Sequence, residues 1–246
     1  MLGGTQYIMA QRWLIAQKYE KETWGEDVER VLSQGYIQSK KVYAENIKAW
    51  FNKFIEIGDE TKILQIGAAG EGMIFFFGVG DRYAIDPLAD FYIKNFGVIQ
   101  DRRVIYVKGV GEALPYMDNH FDIIILFNVL DHTSSPTDVL SEINRVLKSG
   151  GLLYLGVHTY SYIGAIYRII NEKLFKIPAI RKISKIDEGH PHAFTRYQLK
   201  KMIQKHFIFI DADHDEDYIG KDSSKKLKKL KRFLAGKKMY RFIVQK

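Results

Sequence analysis

A bend built from small residues, one well-spaced aspartate and several clustered histidines are the parts of this sequence that could do chemistry. In "ILQIGAAGEGMIFFF" (63–77), Gly67, Ala69 and Gly72 occupy the three positions of a G-x-G-x-x-G/A-like turn, with alanine at the second. Small residues there let the backbone come close to a ligand. Asp86 ends "RYAID", 19 residues after Gly67. A carboxylate at that distance, closing the next strand, can accept hydrogen bonds from both ribose hydroxyls of an adenosine. The pair therefore predicts an adenosine cofactor. Nicotinamide dinucleotides and S-adenosylmethionine satisfy this logic equally.

The histidines gather later in the chain. "NVLDHTSSP" carries Asp131 and His132, His158 ends "GLLYLGVH", and "DEGHPHAFT" carries His190 and His192. Imidazole titrates near neutrality, so any of these could take or give a proton. His120, His206 and His214 read as structural or exposed. Asp131, His132, His190 and His192 could also supply metal ligands. Their spacing fixes no coordination geometry, and no metal is expected.

These groups need a frame to hold them. Strands are predicted at 62–66, 82–86, 103–107, 121–127 and 151–157, with helices near 88–96, 136–148 and 195–206. Apolar runs such as "IIILF" suit parallel strands buried on both faces. Alternation of this kind implies a doubly wound, mostly parallel sheet with helices on both sides. Two terminal segments, 206–215 and 237–246, read as strands, making seven with an antiparallel last strand. Residues 1–56 read as a helical extension, rich in Trp and Tyr, and 57–246 as the α/β domain. Ligands in such folds sit beyond the carboxyl ends of the strands, where both Gly67–Gly72 and the histidine loops would fall.

Bulk properties narrow the classes. The chain has 246 residues and no cysteine, which excludes disulfides and thiolate chemistry. No apolar run approaches a membrane span, and a cytoplasmic location is the expectation. The net charge is +8, but residues 221–241 carry ten Lys or Arg against Asp222 and account for all of it. Residues 221–236 read as an amphipathic helix with a lysine face, usually solvated and able to touch an anionic membrane surface.

The strings "VKGVGEALPYMDNHFDIIILFNVLDH" (107–132) and "VLSEINRVLKSGGLLYLGVH" (139–158) resemble the class I S-adenosylmethionine-dependent methyltransferases, and specifically the small-molecule and glycan-pathway group. The resemblance favours S-adenosylmethionine over a nicotinamide cofactor and implies a Rossmann-like fold. It implies that Gly67, Ala69 and Gly72 lie along the methionine and ribose, and that Asp86 takes the ribose. It also implies that Leu88 packs on the adenine beside Gly111 and Glu112, and that Asn128 borders the methionine part. Two positions depart from the family: Gln65 stands where an acidic residue usually faces the cofactor's ammonium, and Val110 where Asp is frequent. Gln65 should still hydrogen-bond, without charge.

Methyl transfer to a hydroxyl needs a base. His132 is expected in that role, with His192 as a substrate ligand, in a string similar to the "HPHHFT"-like segment of glycan-cluster enzymes. An insert at 159–192 and the aromatic N-terminal region should form the acceptor lid. The expected activity is methylation of a small-molecule or glycan acceptor, on oxygen. A nucleic-acid methyltransferase using 221–241, or a non-catalytic cofactor-binding relic, are the alternatives. Nucleic acid is disfavoured because no base-reading segment accompanies the lysines.

Overall fold

The computed structural model of the chain describes residues 2–175, 177, 179, 187–214 and 236–246. The lysine-rich helix expected at 221–236 lies outside them, apart from Gly236.

The strands are β1 (Lys62–Ile66), β2 (Asp81–Asp86), β3 (Ile105–Lys108), β4 (Phe121–Phe127), β5 (Leu147–Tyr160), β6 (Phe194–Thr195), β7 (Ile208–His214) and β8 (Lys238–Gln245). They form one sheet in the order β3-β2-β1-β4-β5-β8-β7, with the two-residue β6 pairing beside β5. Pairings from β3 across to β5 are parallel, and β8 runs antiparallel to both its neighbours. The expected mostly parallel sheet with an antiparallel last strand is thus observed, with β6 added as an eighth strand.

Both faces of the sheet are covered because both faces are apolar. Leu64, Ile124, Leu126 and Leu153 pack with Val139 and Ile143 of α5 (Pro136–Val146) and Leu199 of α7 (Arg196–Ile203). Their sequence neighbours Ile63, Ile123, Ile125 and Leu152 point the other way, onto Ile47 and Phe51 of α3 (Gln34–Phe51). The period-two reversal of strand side chains produces this split. Every one of these side chains is buried, which is what a continuous apolar strand requires.

Helix starts follow local chemistry. Pro136 stands at the first turn of α5, where its missing N–H is no loss. At α7, the Thr195 side chain accepts from Gln198 N while the Gln198 side chain accepts from Thr195 N, a reciprocal capping box.

The N-terminal extension is helical, as expected: α1 (Leu2–Glu26), α2 (Val28–Leu32) and then α3. Trp24 of α1 stands edge-on to Tyr92 and Phe96 of α4 (Ala89–Phe96). In the insert, α6 (Tyr162–Phe175) turns Tyr162, Ile163, Ile166 and Tyr167 outward, all more than half exposed. Arg12 ties α1 to the insert. Its guanidinium is 3% exposed, makes two bonds to Glu172 of α6 at 2.9 and 3.0 Å, and donates to the carbonyls of Asp187 and Glu188.

Candidate active site

At the carboxyl ends of β1, β2, β4 and β5 lies a cleft of about 960 Å³. Gln65, Gly67, Ala69, Gly72, Asp86, Leu88, Gly111, Glu112 and Asn128 all line it, with His132 and His190. The small-residue bend and the acidic residue therefore face one cavity.

The bend is held in an uncommon backbone shape. Gly67 has φ +65° and Ala69 φ +48°. A Cβ on Gly67 would come within 2.2 Å of Val129 Cγ2, so only glycine fits. Gly67 N–H donates to Ile85 O at 2.8 Å, fixing the bend to β2. The two carboxylate oxygens of Asp86 are both engaged: Oδ2 accepts from Ala69 N at 3.1 Å and Oδ1 from Leu88 N at 2.8 Å. Burial pushes the Asp86 carboxyl up to about 6, against the two N–H donors that favour its charge.

Two residues expected at the cofactor also hold the local structure together. Gln65 Oε1 accepts from Ile74 N at 2.9 Å, holding the 3-10 turn Met73–Phe76 against β1. One lone pair of that oxygen is thereby used, and Gln65 still lines the cleft. Glu112 Oε1 accepts from Ser134 N, Ser134 Oγ and Ser135 N at 2.7, 2.8 and 3.2 Å, tying down the loop that enters α5. Asn128 differs from both. It sits at φ +56°, and its buried Oδ1 has no hydrogen-bond partner although the side chain lines the cleft. A buried amide oxygen left open is costly unless a ligand satisfies it. Asp86 and Asn128 together fit a nucleoside cofactor with a polar tail.

In the same cleft, histidines from two segments meet. The rings of His132 and His190 are 4.3 Å apart. His132 Nδ1 lies 3.2 Å from Glu20 Oε1 of α1, too poorly aligned for a hydrogen bond but close enough for an ion pair. His190 Nδ1 is bonded to Asp187 Oδ1 at 2.8 Å. Each Nε2 lies 3.9 Å from a different oxygen of Asp131. Burial lowers the His132 pKa, but Glu20, Asp131 and Asp187 outweigh it, and the net shift is upward. Burial acts likewise on Glu20, raising its pKa, and the pairing with His132 reverses the direction. His158, also lining the cleft, is driven down to about 4 by burial and then by Lys237, so it is neutral near pH 7.

His192, expected as a substrate ligand, is turned away. Its Nε2 lies 2.8 Å from Thr133 O, its ring stacks on Phe194, and it does not line the cleft. His190 takes the place beside His132. Position along "DEGHPH" could not separate them, because a two-residue step in an irregular loop fixes no direction. Glu20, and the ion pair of Lys40 with Glu71 in the cleft wall, were also missed. Glu71 stands within the small-residue bend and Glu20 in the aromatic N-terminal region, but their pairings with Lys40 and His132 join segments distant in the chain.

Residues 70–155 match the family described as "Methyltransferase domain". An uncharacterised protein of Methanocaldococcus jannaschii is 28% identical over 138 residues, covering 53% of this chain and 67% of that one. A ubiquinone/menaquinone biosynthesis C-methyltransferase of Shewanella oneidensis is 41% identical over 61 residues. That match spans 25% of this chain and only 24% of the enzyme. Among solved structures, a phosphoethanolamine N-methyltransferase of Haemonchus contortus, in complex with phosphomonomethylethanolamine and S-adenosylhomocysteine, superposes with a TM-score of 0.58. The identity is 15%, over 82% of this chain and 52% of that one, so this likeness speaks to the fold alone.

Proposed function

We propose that the chain, whose residues 70–155 match a methyltransferase domain, transfers a methyl group from S-adenosylmethionine to an oxygen of a small-molecule or glycan acceptor bound beside His132. The observation that carries the reading is that Asp86 and the Gly67–Gly72 bend face the same cavity as the histidine cluster. When bound, S-adenosylmethionine supplies a methyl group already activated on a sulfonium. The chain's own task is then to position, to exclude water and to manage one proton.

Asp86 holds the ribose through its outward lone pairs, since each oxygen already accepts one backbone N–H. Leu88 and the backbone at Gly111 flank the adenine. Lys40 and Glu71, of opposite charge, offer partners to the carboxylate and ammonium of the methionine end, a role sequence gave to Gln65. Asn128 Oδ1 is open to a donor beside them.

At the acceptor end, Glu20 and Asp131 favour the protonated form of His132, which suits it to receive a hydroxyl proton. α1 and the insert, locked together through Arg12, form the roof.

Calorimetric titration with S-adenosylhomocysteine tests the cofactor half. Micromolar affinity is expected, and no heat with no thermal shift would sink it. Transfer of labelled methyl to hydroxylated acceptors, against amine and nucleic-acid controls, tests the other half; label on amines or RNA alone would overturn the oxygen assignment.

A further inference from the structure

We propose that Asp131, His132 and His190 bind one first-row divalent metal ion, of the zinc kind, at the acceptor end of the cleft. The expectation from sequence was no metal. The reason to revise it is a buried carboxylate that no donor reaches within hydrogen-bond distance. Asp131 is fully buried, and neither of its oxygens has a hydrogen-bond partner. A bare buried carboxylate is among the most unfavourable groups to desolvate, and such groups are paired or hold metals.

What faces Asp131 is a pair of imidazole nitrogens, each 3.9 Å from one carboxylate oxygen. That is too far for a hydrogen bond. One donor atom from each of the three residues can be chosen so that all lie within 4.8 Å of one another. Ligands about 2.0–2.1 Å from a tetrahedral ion sit roughly 3.3–3.5 Å apart. Rotation of the two rings by small angles supplies the difference.

The outer shell is already in place. A metal-bound imidazole turns its other nitrogen to a carboxylate, which fixes the ring and strengthens it as a donor. His190 Nδ1 is held by Asp187 and His132 Nδ1 faces Glu20. Both Nε2 atoms are thereby aimed at Asp131. The charges agree as well: three carboxylates, Glu20, Asp131 and Asp187, face two cations, Arg168 and Lys237. Two imidazoles and one carboxylate suit zinc, iron or cobalt better than magnesium or calcium, and leave coordination positions open. His132 and His190 line the cleft, so the open positions are reached from the acceptor side. There the ion would hold an acceptor oxygen and lower its pKa, so that the proton passes to solvent in the cleft and His132 acts as a ligand rather than as the base. Its use, though not its binding, rests on the transferase reading.

The test is titration of the metal-stripped full chain with Co2+, followed by visible absorption, and then displacement by Zn2+. One equivalent with a ligand-field spectrum is expected. His190→Gln and Asp131→Asn should each weaken binding at least about a hundredfold, and Asp187→Asn about 10–100-fold as an outer-shell change. S-adenosylhomocysteine titration of the same samples shows that each variant is folded; should Asp131→Asn fail to fold, His190→Gln decides. Cofactor-product binding without any metal uptake at 100 μM metal would sink the ion and leave the transferase reading. So would metal affinity unchanged in folded His190→Gln. Metal uptake lost in the variants, with no cofactor-product binding by the wild type, would keep the ion and sink the transferase reading.

Discussion

The Asp86 carboxylate meets the backbone N–H of Ala69 at 3.1 Å, so the end of β2 grips the bend that follows β1. Ala69 at φ +48° is in a region that costs an L-residue roughly 1–2 kcal/mol. A charge-assisted hydrogen bond returns an amount of that order. The bend and the acid are therefore one device, each holding the other in place before any ligand arrives.

Replacing Asp86 by Asn leaves a single side-chain oxygen for the N–H groups of Ala69 and Leu88 and removes the negative charge. A hydrogen bond to a charged group is worth about 1.5–3 kcal/mol, so affinity for S-adenosylhomocysteine should fall at least about tenfold. Calorimetry reads this directly, and an unchanged Kd would show that the ribose is held elsewhere.

The same carboxyl sets a pH dependence. Asp86 titrates near 6 in the folded protein, against 3.8 for the free group, because burial penalises its charge. Only the ionised form can accept both ribose hydroxyls while bonded to two N–H groups. Affinity for the cofactor product should be flat above about pH 7 and decline as pH falls through 6, approaching tenfold per unit below it. For stability the sign is opposite. Between pH 3.8 and 6 the folded state holds a proton that the unfolded state has lost, so this group favours folding at the acid end and loses that contribution as pH rises to 6. A Kd that shows no bend near pH 6, or one that persists in Asp86→Asn, would assign the titration to another group.

Arg12 is a buried cation whose partners come from another element. Arg12→Met keeps the aliphatic stem but strands Glu172 and the carbonyls of Asp187 and Glu188. Breaking a buried pair on one side costs about 3–5 kcal/mol; Glu172 is partly exposed, so about 2–3 kcal/mol is expected here. The loss of α1–insert docking should raise KM for the acceptor and leave cofactor-product affinity within about twofold, because no cofactor residue lies on that contact. Denaturant unfolding with paired titrations measures both. An effect on the cofactor alone would contradict the assignment of the roof to the acceptor side.

How much of this could be read from the chain depends on whether a residue's role is set locally. The bend, Asp86 and the strands β1, β2 and β4 were legible because pattern and spacing decide them: Ile63 and Leu64 are both apolar, as burial on two faces demands. The bond from Ile74 N to the Gln65 side chain was not legible, because it crosses nine residues through a turn whose path the sequence does not specify. The bonds of Glu112 to Ser134 and Ser135 were hidden for the same reason. The histidine cluster was half legible. His132 follows β4 and had to lie at the mouth of the site. The choice of His190 over His192 depends on Asp187 and on Arg168, which donates to the His190 carbonyl. Glu20 arrives on a helix 112 residues away from its partner His132, a distance no local motif spans.

Gly67 and Val129 provide a test that separates backbone conformation from packing. Gly67→Ala meets two costs. The φ of +65° is unfavourable for a residue with Cβ, by about 1–2 kcal/mol, and the new Cβ would lie 2.2 Å from Val129 Cγ2 and 2.8 Å from Cγ1. Together these should lower stability by more than about 3 kcal/mol and abolish cofactor-product binding, since the bend must shift. Val129→Ala alone opens a small cavity at a cost near 1–2 kcal/mol. In the double variant the two collisions with Cγ2 and Cγ1 are gone and only the close approach to the Cβ of residue 129, at 3.1 Å, remains. Its total loss should then fall short of the sum of the single losses by at least about 1 kcal/mol, the mark of coupled neighbours. Cofactor-product binding should return in part, limited by the remaining φ strain. Strict additivity with no recovery of binding would mean that Val129 does not set the space at Gly67, and that the bend is fixed by its hydrogen bonds to Ile85 and Asp86 alone.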